Sequence, residues 1–522
     1  RGLSNSWQIS SGEIRFSRLT MTANKATIIF LTITIVLATL TFAFGYTGYS
    51  LNGYLDSMGT MPAAVSFAIG HGFKDQLMDL RSSWGDPTGQ ERYLWFPPFF
   101  SLVISAFVSP SISLPPSQQA LLGAGILSAL AILLAALVFY KIATLHGKKF
   151  NFFDAFLACA FLIIMLRSMW SFLARPEGLE IIFLAAGFLM TLYALRERSL
   201  IAGFAVVLGL MVVTHPFGAL FFGCFAGLAL SFFYEWRRSI AYGIAVCLLG
   251  AVAFVIFMQA SPYGIAETWA GIAEHNAHEM QRINSHGFPM GFLKSKYAIM
   301  GGMMIVLMAA FCAYYREQIK TVLRHIKAPL LFAFFAVLIV GLTVYFVVVG
   351  HKTYYALLPA FFMFSIAIYF FVHIASVPAI KYTMLIFAML FAALSLKPIF
   401  AFPAYIENGL MIAEAREIYA PIAARYPEKE IYIEGNLWAL SEDYERMHVH
   451  GDITSEDLLY RPLTVIGQNA YDMPIPAPTA PAKTAEGCPL LESHFVPEIP
   501  TFFGIQVTRA MPGYGFAVYL CE

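Results

Sequence analysis

Long apolar runs recur along most of this chain, and that recurrence restricts its fold more than any other feature. A bilayer's hydrocarbon core is about 30 Å thick, so a crossing helix needs about 20 mostly apolar residues. Such runs lie near 26–46, 118–141, 152–172, 178–195, 199–214, 217–234, 239–259, 298–315, 328–349, 355–373 and 379–398. They predict an α-helical polytopic membrane protein with about eleven transmembrane helices. Composition agrees: 59% of the 522 residues are hydrophobic and 12% charged, with a mean hydropathy of +0.68, where soluble domains are about a quarter charged. A net charge of +1 leaves no electrostatic footprint for nucleic acid. Met21 stands just before the first run, so residues 1–20 read as an upstream extension and 1–25 as a cytoplasmic tail. The run from Ala26 is too long for a signal peptide and reads as the first span.

Basic residues set the expected orientation, because cytoplasmic loops carry an excess of Lys and Arg. With the N-terminus inside, the inner loops hold Lys141, Lys148 and Lys149, then Arg196 and Arg198, Arg237 and Arg238, Arg316 to Lys327, and Lys381. The run Leu94–Ser109 is shorter and bounded by Pro97, Pro98 and Pro110. It reads as a helix lying at the interface, since counting it as a span would throw the later basic clusters outside.

This topology leaves outer segments at 47–117 and 261–297, within a transmembrane module 26–400, and a C-terminal region 401–522 outside. Strand-like stretches at Glu430–Glu434, Leu463–Ile466, Phe502–Val507 and Gly515–Leu520 predict a small extracytoplasmic α/β domain, with a Pro/Ala-rich linker at Met473–Lys483. Cys488 and Cys521 fall in this region; they pair if the compartment is oxidising and are otherwise two free thiols.

Ionisable groups near membrane depth are costly and call for a reason. Asp56 follows the first run and is either a general base at a surface cavity or the N-cap of the next helix. Arg175 and Glu177 open the fourth helix, as a phosphate- or metal-facing pair or as a simple ion pair at a helix N-terminus. His215 sits between the fifth and sixth helices, a helix cap or a ligand. The second outer segment carries Glu274, His275, His278 and Glu279 at spacings that share a helical face, for metal binding or for an amphipathic surface helix. Lys352 opens the tenth helix, holding a phosphate or snorkelling to the interface. Under the topology above, all of these open onto one membrane face.

The order of these motifs resembles the GT-C superfamily of integral membrane glycosyltransferases, nearest the bacterial aminoarabinose transferases and the protein O-mannosyltransferases of glycosyltransferase family 39. The resemblance covers residues 26 to about 400. Tyr54-Leu55-Asp56-Ser57 matches the acidic site after the first helix, Phe96-Pro97-Pro98-Phe99 the interfacial helix, and Arg175-Pro176-Glu177 the second acidic position. Thr214-His215-Pro216, Glu274-His275 and the Lys352–Pro359 segment match the later junctions. Ser57 stands where the family usually has a second acid, and His215 where it commonly has Lys.

The resemblance implies transfer of a sugar from a polyprenyl-phosphate donor, its tail in the membrane lipid, to an extracytoplasmic glycan, lipid or protein acceptor, with inversion at the anomeric carbon. It implies Asp56 as base, Arg175, His215 and Lys352 on the donor phosphate, and Glu177 and His275 on the sugar or a divalent metal ion. It places the protein in a bacterial inner membrane with its active site and C-terminal domain toward the periplasm. The rival expectations are a non-catalytic membrane subunit reusing the fold and a transporter of lipid-linked substrates.

Overall fold

The computed structural model describes residues 24–48, 60–72, 99–144, 148–171, 173, 175–193, 197–259, 378–396, 411–450, 463–467, 487–494, 501–502, 505–506 and 515–521, with scattered positions elsewhere between 264 and 406. Helices dominate this part, and a small sheet closes the C-terminus. Asn24 begins the first helix, α1 (Lys25–Tyr46), by accepting from the Thr27 amide at 2.8 Å. Its own side-chain amide donates to the Phe150 carbonyl at 2.6 Å, tying the start of α1 to that of α5 (Phe152–Ser171). Near the other end of the same pair, the Trp170 indole donates to the Thr41 hydroxyl at 2.7 Å, so α1 and α5 run parallel. Thr34 and Thr41 also donate their hydroxyl protons to carbonyls four residues back, within the helix itself.

Small residues set the remaining approaches. Gly45 of α1 lies against Gly125 of α4 (Pro116–Ala143), where a Cβ on Gly45 would stand 2.7 Å from the Gly125 Cα. That contact joins the end of α1 to the beginning of α4, so these helices are antiparallel. Gly178 of α6 (Glu177–Leu192) meets Ser128 of α4, Gly203 of α7 (Glu197–Thr214) meets Met190, and Gly187 meets Phe222 of α8 (Pro216–Phe233). Gly209 and Gly250 bring α7 against α9 (Trp236–Gln259). Lys381 of α10 (Pro378–Ser395) lies 4.1 Å over the Phe153 ring at the start of α5. The helices alternate in direction through α9, with close backbone approach at glycine as membrane bundles require. Three of them, Lys25–Tyr46, Pro116–Ala143 and Arg237–Ile256, are long and apolar enough to cross a membrane, and Arg198–Thr214 and Lys381–Ser395 are shorter apolar helices. Residues 298–305 and 328–349, within two further expected spans, lie outside the described residues.

Between α1 and α4 the chain stays at one end of the bundle. There α2 (Met61–Ala68) and α3 (Phe99–Ser105) pack together, with Ser101 donating to the Thr60 carbonyl at 3.0 Å. Helix α3 is seven residues long, about 10 Å at 1.5 Å per residue, far short of a crossing. Gln119 of α4 holds the segment after it, accepting from the Ser109 amide at 2.7 Å and donating to the Leu114 carbonyl at 2.7 Å.

The C-terminal domain sits on this same end. Helix α11 (Ile412–Ala424) leads into β1 (Ile431–Glu434), a 3-10 helix (Gly435–Leu440), β2 (Met447–His450) and β3 (Leu463–Gly467). After β4 (Leu490–His494) come β5 (Thr501–Phe502), β6 (Ile505–Gln506) and β7 (Phe516–Leu520). The main sheet has the order β2-β1-β3-β7-β4. Strand β1 is parallel to both its neighbours, and β7 is antiparallel to both of its own. The stretch Phe502–Val507, expected as one strand, instead contributes to the pair β5–β6, with Thr501 opposite Gln506 and Phe502 opposite Ile505. Phe503 and Gly504 separate the two in sequence, the two-residue glycine-bearing spacing of a hairpin. Cys488 and Cys521 form a disulfide beside the β4–β7 pair.

One apolar cluster runs without a break from Met61 of α2, Ile104 of α3, Leu121 of α4 and Leu179 of α6 into Trp438 and Val465 of the sheet domain. A polar knot pins the same junction. Ser117, at the start of α4, donates to the Glu442 carboxylate and accepts from Arg416 of α11, and Arg416 Nε donates to the Ala439 carbonyl at 2.7 Å. His71, after α2, lies 3.6 Å from Glu445.

Candidate functional site

Where α6 begins, at the end of the bundle that carries the sheet domain, four ionisable side chains meet. Arg175 precedes the helix, Glu177 and Glu180 occupy its first turn, and His215 lies at the α7–α8 junction beside it. Arg175, Glu177 and Glu180 expose only 4%, 3% and 1% of their surfaces. Removing such groups from water is tolerable only when they are paired, and each has a partner here.

Arg175 Nε donates to both carboxylate oxygens of Glu177, at 2.9 and 3.1 Å, and its Nη2 lies 2.9 Å from Oε1. The Nε–H is thus shared between the two oxygens in a charge-assisted contact. Glu177 also gains from its place in the first turn of α6, where the unpaired amides of the helix end favour negative charge.

Glu180 turns to the other neighbour. His215 Nδ1 stands 3.6 Å from Glu180 Oε1, and the Gly218 amide donates to the same carboxylate. His215 occupies the N-cap position of α8 in an extended backbone, with Pro216 next at the first helical position. Its side chain makes no capping bond, and the imidazole lies against the Glu180 carboxylate. Gly218 is required by space, since a Cβ there would overlap Glu180 Oε1.

Of the residues singled out in the sequence, the structure brings together Arg175, Glu177 and His215. Asp56, His275 and Lys352 lie outside the described residues. Glu180 was overlooked. Its signal was there: three residues beyond Glu177 on one helix, it must share a helical side with it. Among the described residues, no group of three or more His, Cys, Asp or Glu side chains is arranged to hold a metal ion.

Most basic residues of the described helices lie at one end of the bundle. Lys25, Lys141, Lys148, Lys149, Arg198, Arg237, Arg238 and Lys381 all belong to the end away from the sheet domain. The buried cluster and the disulfide belong to the other end. No family model matches the chain, and no curated protein matches it.

Proposed function

We propose that this chain is a membrane-embedded glycosyltransferase that moves a sugar from a polyprenyl-phosphate donor to an acceptor on the side of its sheet domain. One observation carries the reading: a buried cluster of Arg, His and two Glu side chains at the end of the helical bundle that bears the sheet domain. A lipid-linked donor needs that division, with hydrocarbon beside the helices and phosphate and sugar at their ends. Two features support an extracytoplasmic direction for that end. Basic residues crowd the opposite end, as cytoplasmic faces do, and the Cys488–Cys521 bond suits an oxidising compartment. The eleven-helix GT-C architecture and the bacterial inner membrane belong to this proposal.

In the proposed reaction the acceptor hydroxyl gives its proton to Asp56, and its oxygen forms a bond to the anomeric carbon from the face opposite the phosphate. The bond from that carbon to the phosphate oxygen breaks, its electron pair leaving with the polyprenyl phosphate. General-base assistance of this kind contributes about 10²–10⁴-fold. The charge gained by the departing phosphate falls to the cations of Arg175 and Lys352 and to an N–H of His215. Glu177, held by Arg175 through both carboxylate oxygens, would act on the sugar with His275, and no step is assigned to a metal. His275 would orient the sugar.

The test is transfer of radiolabelled sugar from a mixed polyprenyl-phosphate donor pool to total membrane acceptors by the purified protein and by its Asp56→Asn form. Transfer by the parent and none by the folded variant is the expected result. Equal transfer by both removes Asp56 as the base. No transfer by either replaces the reading with a non-catalytic membrane subunit.

A further inference from the structure

On the reading just given, we infer that Glu180 is a positioning residue: it holds the His215 imidazole by its Nδ1 side so that the opposite edge of the ring meets the donor phosphate. Three observations converge on it. Glu180 is almost wholly buried, at 1% exposure, in the first turn of a helix lined by apolar neighbours. A carboxylate so placed is retained at considerable cost. It lies 3.6 Å from His215 and accepts from the Gly218 amide. Gly218 in turn leaves the space that the carboxylate fills. Glutamate, glycine and histidine thus form one unit built from α6 and the start of α8.

The unit has a chemical direction. The two nitrogens of an imidazole lie on different edges, and the partner of one fixes which nitrogen carries a proton and where the ring points. With Nδ1 toward Glu180, Nε2 is on the far edge, and a proton held there can be donated to a phosphate oxygen. The charges facing Glu180 are Glu177 and Arg175 from the start of its own helix and His215 from the α7–α8 junction. From α4 the neighbour of this helix start is the uncharged Ser128. Glu180 is the carboxylate that stands against the His215 ring.

The experiment is equilibrium binding of radiolabelled polyprenyl phosphate to the purified full chain in nanodiscs, with the corresponding polyprenol as the phosphate-free control. Glu180→Gln and His215→Gln should each weaken phosphate-dependent binding by roughly tenfold, and the double variant should be no weaker than His215→Gln alone, because groups acting as a unit are non-additive. Glu180→Asp should recover part of the loss. Binding by Glu180→Gln equal to the parent overturns the inference, as do losses that multiply in the double variant. If Glu180→Gln fails to fold, Gly218→Ala keeps every charge yet displaces the carboxylate, and the same non-additivity with His215→Gln is expected. A parent protein that does not distinguish polyprenyl phosphate from polyprenol overturns the lipid-phosphate reading itself, whereas loss of coupling alone overturns only the role of Glu180.

Discussion

Arg416 Nη2 stands 3.2 Å from Glu442 Oε1, and Ser117 of the helical bundle is bonded to both residues. Two side chains of the sheet domain therefore close on a third that belongs to α4, which makes the triplet the polar half of the joint between the two parts. The apolar half is the continuous cluster from Leu121 to Trp438.

Replacing Arg416 by Met keeps most of the bulk and removes the donors. Ser117, Glu442 and the Ala439 carbonyl then lose their shared partner, and a hydrogen bond to a charged group is worth about 1.5–3 kcal/mol. The variant should release a C-terminal fragment faster under limited proteolysis near residue 411 and melt at lower temperature in detergent. Proteolysis at the parental rate would show that the apolar contact alone holds the domain.

Glu442 also makes the joint sensitive to pH. Burial holds its carboxyl above the ordinary glutamate range, while the Arg416 guanidinium and Ser117 pull in the opposite direction without cancelling it. A carboxyl whose folded value exceeds the unfolded one, about 4.3, binds its proton more tightly in the folded state. Its contribution to stability is complete below that unfolded value and is lost as pH rises through the folded one. Glu442→Gln keeps the accepting oxygen and should flatten this part of the profile when melting is followed from pH 4 to 7. The opposite sign, with the parent gaining on the variant as pH rises, would refute the assignment.

Gly45 and Gly125 press backbone against backbone. Gly45→Ala must push α1 off α4 by overpacking, at a cost of about 1–3 kcal/mol. Gly243 of α9 has nothing within 4 Å of an added Cβ, so Gly243→Ala should be neutral or gain up to about 1 kcal/mol from helix propensity. Paired thermal melts in one detergent read both, and equal shifts would contradict the geometry.

The Cys488–Cys521 bond closes a loop across a sequence separation of 33 residues. Loop-closure entropy at that length gives about 3–4 kcal/mol. The double Ser variant should lower the stability of the sheet domain by that amount while leaving the helical bundle unchanged, as read by site-directed fluorescence in each part. Treatment of the parent with reductant should reproduce the shift.

The positions of the described helices in the bundle were legible in the sequence because apolarity is continuous along each of them, a local property of the chain. Strands β1, β3 and β7 were legible for a similar reason, being central in the sheet and rich in β-branched and aromatic residues. Strands β2 and β4 were missed. They are the two edges of that sheet, and their sequences, Met447–His450 and Leu490–His494, carry the polar residues that edges tolerate. The site divides in the same way. Arg175 with Glu177 could be paired from the sequence, two residues apart at a helix start. Glu180 with His215 could not, because 35 positions separate them along the chain and only the packing of α6 against α8, across the gap left by Gly218, brings the carboxylate to the imidazole. Local chemistry along the chain determines which segments are apolar helices and which end carries the basic residues. Which buried charge neutralises which is decided by helix packing, since in a medium without water a charge is stabilised by whatever partner the fold brings within a few ångströms.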